Sequence, residues 1–219
     1  MTTRLPDSLN VPYTYYLIIP HPTEPLILLE TQAIHWSIPH FEPIERHFGR
    51  VQHINKHLWQ TYGLHAATLR CIHNQVLPNG SVERYFAIDN LDPNWEPPQG
   101  MTWATEYDMQ SLPLRNGQTK IVVQEWFDWI NSESSLRVAW VRRGWFNRAA
   151  DTLVDMADRM EMTSIAEVEQ TRVWARSCTL RLRSNNGDLY MKAVPDSVSY
   201  EPVVTRVLSI RYGGFMPIV

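Results

Sequence analysis

Two Asn-Gly steps, Asn79-Gly80 and Asn186-Gly187, each stand between runs of alternating apolar residues, and no other feature of the chain restricts its fold as much. Asn-Gly tolerates the positive φ angles of a tight hairpin turn, so each step ties together the strands on either side of it. The first, in Leu77-Pro78-Asn79-Gly80-Ser81, joins Ala66 to Gln75 with Val82 to Ile88 and predicts an antiparallel pair. The second, in Ser184-Asn185-Asn186-Gly187-Asp188, joins Thr179 to Arg183 with Leu189 to Val194.

Around these hairpins the apolar spacing changes between periods of two and of three to four. Tyr13 to Ile19 and Leu26 to Leu29 read as an opening strand pair, and Met101 to Thr105 as another strand. Val51, Ile54 and Leu58 recur at helical spacing and stop at Gly63; Val122, Trp126, Phe127 and Ile130 mark a second helix over Thr119 to Ile130. Phe146, Ala149, Leu153, Ala157 and Met160 form a third helical stripe, Glu167 to Trp174 alternates as a strand, and Val204, Val207, Leu208 and Arg211 continue a helix that Gly213-Gly214 ends. Phe215 to Val219 begins a further strand. The mixture is α+β. At 219 residues the chain suits two compact units, and the polar run Asn131-Ser-Glu-Ser-Ser135 is the expected connection, giving domains 1–133 and 134–219.

Charge narrows the partners. Up to Ser135 there are 8 Lys+Arg against 14 Asp+Glu, and after it 12 against 9, so the halves carry about -6 and +3. An acidic first half argues against nucleic acid, and a mildly basic second half suits a small phosphate-bearing molecule. Cys71 and Cys178 lie in separate apolar stretches and read as small buried hydrophobes of a reducing compartment. The only early apolar run, Leu17 to Ile19, is ended by Pro20, so no signal peptide or membrane span is expected and the cytoplasm is the expected location.

In the second half the order is helix, three strands, helix, then a strand approached through Pro217. With Gly144-Trp145-Phe146, Val173-Trp174-Ala175-Arg176-Ser177, Leu189-Tyr190-Met191-Lys192-Ala193-Val194-Pro195 and Glu201-Pro202, the segment Val138 to Val219 resembles the N-terminal lobe of aminoglycoside-phosphotransferase-like kinases. The resemblance implies that Lys192 reaches the phosphates of ATP with magnesium. It likewise implies that Glu201 holds the lysine ammonium and that Ser177, in the turn between the first two strands, lies over the phosphates. Phosphate needs a positioned point charge, and a flexible lysine needs a carboxylate to aim it. There is no GxGxxG loop. The resemblance also implies that the His-Gly-Asp and Asn elements belong to a later catalytic lobe, so this chain is expected to hold no catalytic residue, to be incomplete alone, and to pair with another chain through uncovered apolar surface.

The first half, with a strand, Trp36-Ser37-Ile38-Pro39, a helix, Gly63-Leu64 and another strand, resembles a Nudix hydrolase, which implies an α/β/α sandwich. The chemistry of the Nudix box is absent. Alignment on Gly63 puts Lys56 and His57 at the Arg-Glu positions and Gln60 and Thr61 at the Glu-Glu positions, while His40-Phe41 replaces the usual Gly-Gly. Carboxylates hold magnesium against a pyrophosphate, and a lysine and a histidine in their places do not. Only Glu42 and Glu45 stand nearby. His53 and His57, one helical turn apart, are the candidate transition-metal ligands, weighed against an ordinary polar helix face. Trp126, Trp129 and Trp140 read as core or interface residues.

The expected function is therefore a piece of a small-molecule phosphotransferase, an ATP-binding lobe joined to a degenerate, non-catalytic Nudix-like domain. The alternatives are a divergent Nudix-type pyrophosphate hydrolase built on Glu42, Glu45 or the histidines, and a non-catalytic ligand-sensing or assembly module.

Overall fold

The computed structural model describes residues 11–32, 35–114, 116–132 and 137–212. The strand expected at Phe215 to Val219, the Gly213-Gly214 stop and the boundary between residues 133 and 134 lie outside them.

Among the described residues, ten strands and five α-helices follow the apolar periods. Strands β1 (Tyr13–Ile18), β2 (Ile27–Gln32), β3 (His35–Ser37) and β4 (His40–Phe41) precede helix α1 (Gln52–Tyr62). Strands β5 (Ala66–Val76), β6 (Val82–Asn90) and β7 (Met101–Ala104) follow, then α2 (Glu106–Ser111) and α3 (Gly117–Asn131). After a 3-10 turn at Ala139–Val141 come α4 (Trp145–Arg159), β8 (Glu169–Trp174), β9 (Ser177–Ser184), β10 (Gly187–Ala193) and α5 (Glu201–Arg211). The class is α+β, and both Asn-Gly hairpins are antiparallel. Helix α1 stops at Gly63, whose left-handed φ of 64° lets its N–H reach back to the Leu58 and Trp59 carbonyls.

The first sheet has the order β4-β1-β6-β5, with β1 and β6 parallel; a smaller one has the order β3-β2-β7. Alternation along β1 and β6 divides the core in two. Tyr15, Leu17, Phe86 and Ile88 pack with Val51, Ile54 and Leu58 of α1, whereas Ile18, Tyr85 and Ala87 pack with Val122, Val123, Trp126 and Phe127 of α3. The sheet is thus covered by a helix on each face, a layer order α/β/α. The third sheet, β10-β9-β8, turns Cys178, Leu180 and Leu182 of β9 inward toward the apolar stripe Ala149, Leu153 and Ala157 of α4.

These two parts share buried side chains. One apolar cluster contains Tyr15, Leu58 and Phe86 together with Trp140, Leu153, Val173 and Leu180. Polar contacts reinforce it. Gln170 of β8 is only 4% exposed. Its amide accepts from the Thr68 N–H (2.9 Å) and donates to the Thr68 carbonyl (2.8 Å), as a neighbouring strand would. The same amide oxygen accepts from Asn55 (3.1 Å), whose own oxygen accepts from the Thr68 hydroxyl (2.7 Å). Thr68 borders a register shift in the β5-β6 ladder, where strand pairing cannot be regular.

A second tie lies at the end of β6. Asp89, 2% exposed, accepts a 2.6 Å hydrogen bond from the Gly144 N–H and faces Arg143 at 3.6 Å. Burial pushes its pKa up, and the Gly144 bond and Arg143 oppose that rise. Gly144 has φ 72°, so any side chain there would strain the turn that presents this N–H.

Replacing Gln170 by Leu keeps volume but strips partners from the buried Thr68 N–H and carbonyl and from Asn55. A loss of about 2–4 kcal/mol in urea unfolding is expected, from unsatisfied groups at roughly 1–3 kcal/mol each. A loss below roughly 1 kcal/mol would mean that water or relaxation satisfies them.

Candidate functional site

The exposed face of the third sheet carries the first candidate site. In the β9-β10 register Lys192 stands opposite Thr179, so Lys192, Thr179 and Ser177 share one face while Cys178, Leu180 and Leu182 share the other. Ser177 is the first residue of β9 and pairs with Trp174, which leaves a two-residue hairpin loop, Ala175 and Arg176. Helix α5 begins at Glu201 with Pro202 in its first turn, and Glu201 and Lys192 form an ion pair. Both side chains are partly open to solvent. A cation held on a sheet edge by a carboxylate at a helix start is suited to receive an anion.

The second candidate is a polar cleft of about 830 Å³ lined by β1, β4, β6 and the start of α3. At its wall Glu83, 9% exposed, accepts from Tyr16 Oη (3.2 Å), Gln75 Nε2 (2.7 Å) and Asn116 Nδ2 (3.2 Å). Asn116 also caps α3, its Oδ1 accepting from the Gln118 N–H at 2.9 Å. The Tyr16 ring stacks on His40 and on Tyr85, with centroids 5.5 and 4.6 Å away. The arrangement sets a buried carboxylate beside a stacked column of His40, Tyr16 and Tyr85. Sequence reasoning missed it. A glutamate inside the apolar run Val82-Glu83-Arg84-Tyr85-Phe86 was the available signal.

Helix α1 places the Nudix-box positions as follows. Lys56, Gln60 and Thr61 are exposed, and Glu45 pairs with Arg50 at 3.0 Å. Glu42 is exposed and lines the polar cleft. His57 stacks on Phe41, with ring centroids 4.0 Å apart and planes inclined by 14°, and His53 lies beside Tyr15 and Phe41. Among the described residues no group of three or more His, Cys, Asp or Glu converges as a metal site would require. His53 and His57 thus stand in an aromatic setting, without a third ligand among the described residues. Trp126 and Trp140 are buried, and Trp129 packs against both apolar clusters.

Burial is the main cause that lowers the pKa of both His53 and His57 from the ordinary 6.5; for His53, Glu45 opposes the shift and His57 adds to it. The unfolded chain therefore binds more protons than the folded one just below pH 6.5, so stability rises with pH through that interval and levels off above it. The thermal midpoint is expected to fall between about pH 7 and about pH 5, less steeply in a His53→Leu/His57→Leu chain. Equal slopes would show that other groups govern the acid limb.

No family model matches this chain, and no curated protein does. Among solved structures it is similar to the Ap4A hydrolase of C. elegans, at 13% identity over 55% of this chain and 98% of that one, with a TM-score of 0.44. It is likewise similar to a NUDIX-family hydrolase from Clostridium perfringens, at 13% identity over 56% and 100% of the two chains, TM-score 0.44. A NUDIX hydrolase from Nitrosomonas europaea gives 15% identity over 54% and 71%, TM-score 0.43. These likenesses fall on the N-terminal part and give no evidence for a kinase-like lobe in the C-terminal half.

Proposed function

We propose that this chain binds ATP on the exposed face of its third sheet, as the nucleotide-facing part of a small-molecule phosphotransferase, and that its N-terminal Nudix-like sandwich binds a ligand without hydrolysing it. The observation that carries this reading is the Lys192–Glu201 ion pair. A strand lysine is aimed by a helix carboxylate on the face that also bears Ser177. In that role Lys192 holds the phosphates, Glu201 positions the ammonium, and Ser177 offers its hydroxyl and N–H. Magnesium would arrive with the nucleotide; among the described residues no three His, Cys, Asp or Glu converge to hold it.

The domains of this reading are 1–133 and 134–219. Val203, Val204, Val207 and Ile210 leave an apolar face of α5 exposed, and pairing of chains through it belongs to the same reading. A monomer in sedimentation at high concentration would remove that part alone.

A second reading, a divergent pyrophosphate hydrolase, is favoured by one observation: Glu42 opens onto the polar cleft close to where a Nudix box would stand. The two readings separate cleanly. The first expects saturable ATP binding in calorimetry, weakened about tenfold or more by Lys192→Met through loss of a charge-assisted contact of roughly 1.5–3 kcal/mol, with no phosphate release. Magnesium-dependent cleavage of nucleoside diphosphate derivatives, abolished by Glu42→Gln and indifferent to Lys192→Met, would replace it with the second.

A further inference from the structure

A cavity of about 450 Å³ lies where the two parts of the molecule meet, apart from both sites above. Phe48, Arg70 and Cys71 come from the first sheet and the loop before α1, Trp129 from α3, and Val173 and Trp174 from the end of β8. Two guanidinium groups stand in this otherwise apolar wall. Arg70 lies 4.5 Å and Arg137 4.4 Å from the centroid of the Trp129 ring.

The two arginines differ in what they have left to give. Arg137 is committed to protein, its Nη2 donating to the Trp129 and Ser132 carbonyls and, at 2.6 Å, to the Ser132 hydroxyl. The Arg70 side chain makes no ion pair or hydrogen bond among the described residues, and its Nε is buried without a partner. Among the described residues no Asp or Glu lines the cavity. Burial, and after it the charge of Arg137, lower the Arg70 pKa from its ordinary value, and Cys71 opposes them. Cation-π contact offsets part of this cost, and a half-buried guanidinium with an orphan Nε donor retains the rest.

We infer that this cavity is a binding site for a small organic anion bearing an aromatic ring, with its carboxylate or phosphate on Arg70 and its ring among Phe48, Val173 and Trp174. The volume lies within the range of small-molecule pockets, and an aromatic, apolar wall with a few placed polar groups is their usual make-up. The planar guanidinium fork suits both kinds of anionic head group. The walls come from both parts of the chain, so an occupant would bridge them. Trp174 also immediately precedes the two-residue loop that leads into Ser177.

The test is calorimetric titration of the full chain with indole-3-acetate and with phenyl phosphate, each against its neutral counterpart, indole-3-acetamide or phenol. Saturable binding of at least one anion, with its neutral counterpart weaker by about tenfold or more, is expected from the loss of a charge-assisted contact. Whichever anion binds more tightly identifies the head group. Arg70→Gln should weaken that binding by a similar factor, while Lys192→Met should leave it unchanged, separating this cavity from the proposed nucleotide site. The comparison of charged and neutral ligands on the unaltered chain stands even if Arg70→Gln fails to fold. No saturable binding of either anion up to roughly 10 mM, or equal binding of anion and neutral counterpart, would overturn the inference.

Discussion

The molecule is held in one piece by a side chain that behaves as backbone. The Gln170 amide reproduces the donor and acceptor spacing of a strand and satisfies Thr68 where the β5-β6 ladder loses its register. Without it, a buried peptide group would lie at the seam between the N-terminal sheet and the third sheet. With it, the apolar cluster runs from Leu58 and Phe86 through Val173 to Leu180. Asp89, one register position from the Thr68–Ile88 pair, makes a second tie through Gly144, so two polar contacts anchor the seam beside the apolar cluster. Each tie is a side chain meeting main chain, which fixes orientation as well as distance.

Most of the element order was legible because it depends on local rules. Asn79-Gly80 and Asn186-Gly187 each imply a hairpin, and Gly63 implies a helix end, without any knowledge of the partner surface. What was missed is either short or non-local. Helix α2 has a capping box in which Thr105 and Asp108 exchange hydrogen bonds, readable in Thr-Glu-Tyr-Asp, but its six residues show too little periodicity to stand out. Strands β3 and β4 are three and two residues long and exist only through pairing with β2 and β1.

The candidate sites divide in the same way. Lys192 and Glu201 were reachable only through a resemblance, since nine residues of separation across a strand and a helix follow no local spacing rule. Glu83 and Arg70 were not singled out at all. A charged residue in an alternating strand normally faces water, and what buries Glu83 and half-buries Arg70 is the cover laid over them by α3 and its neighbours. His53 and His57, read from helical spacing, do lie on one side of α1, but the surrounding Tyr15 and Phe41 rings come from strands whose approach the spacing cannot reveal.

The loop between β8 and β9 holds only Ala175 and Arg176. A hairpin this short has almost no hinge, and so it cannot fold down over a bound nucleotide as a long glycine-rich loop can. Phosphates resting against Lys192 would stay wet on one side, and their arrival and departure would be governed by diffusion and the sway of one lysine side chain. On the proposed reading, this face is built for rapid exchange, and long residence would need a second surface laid across it.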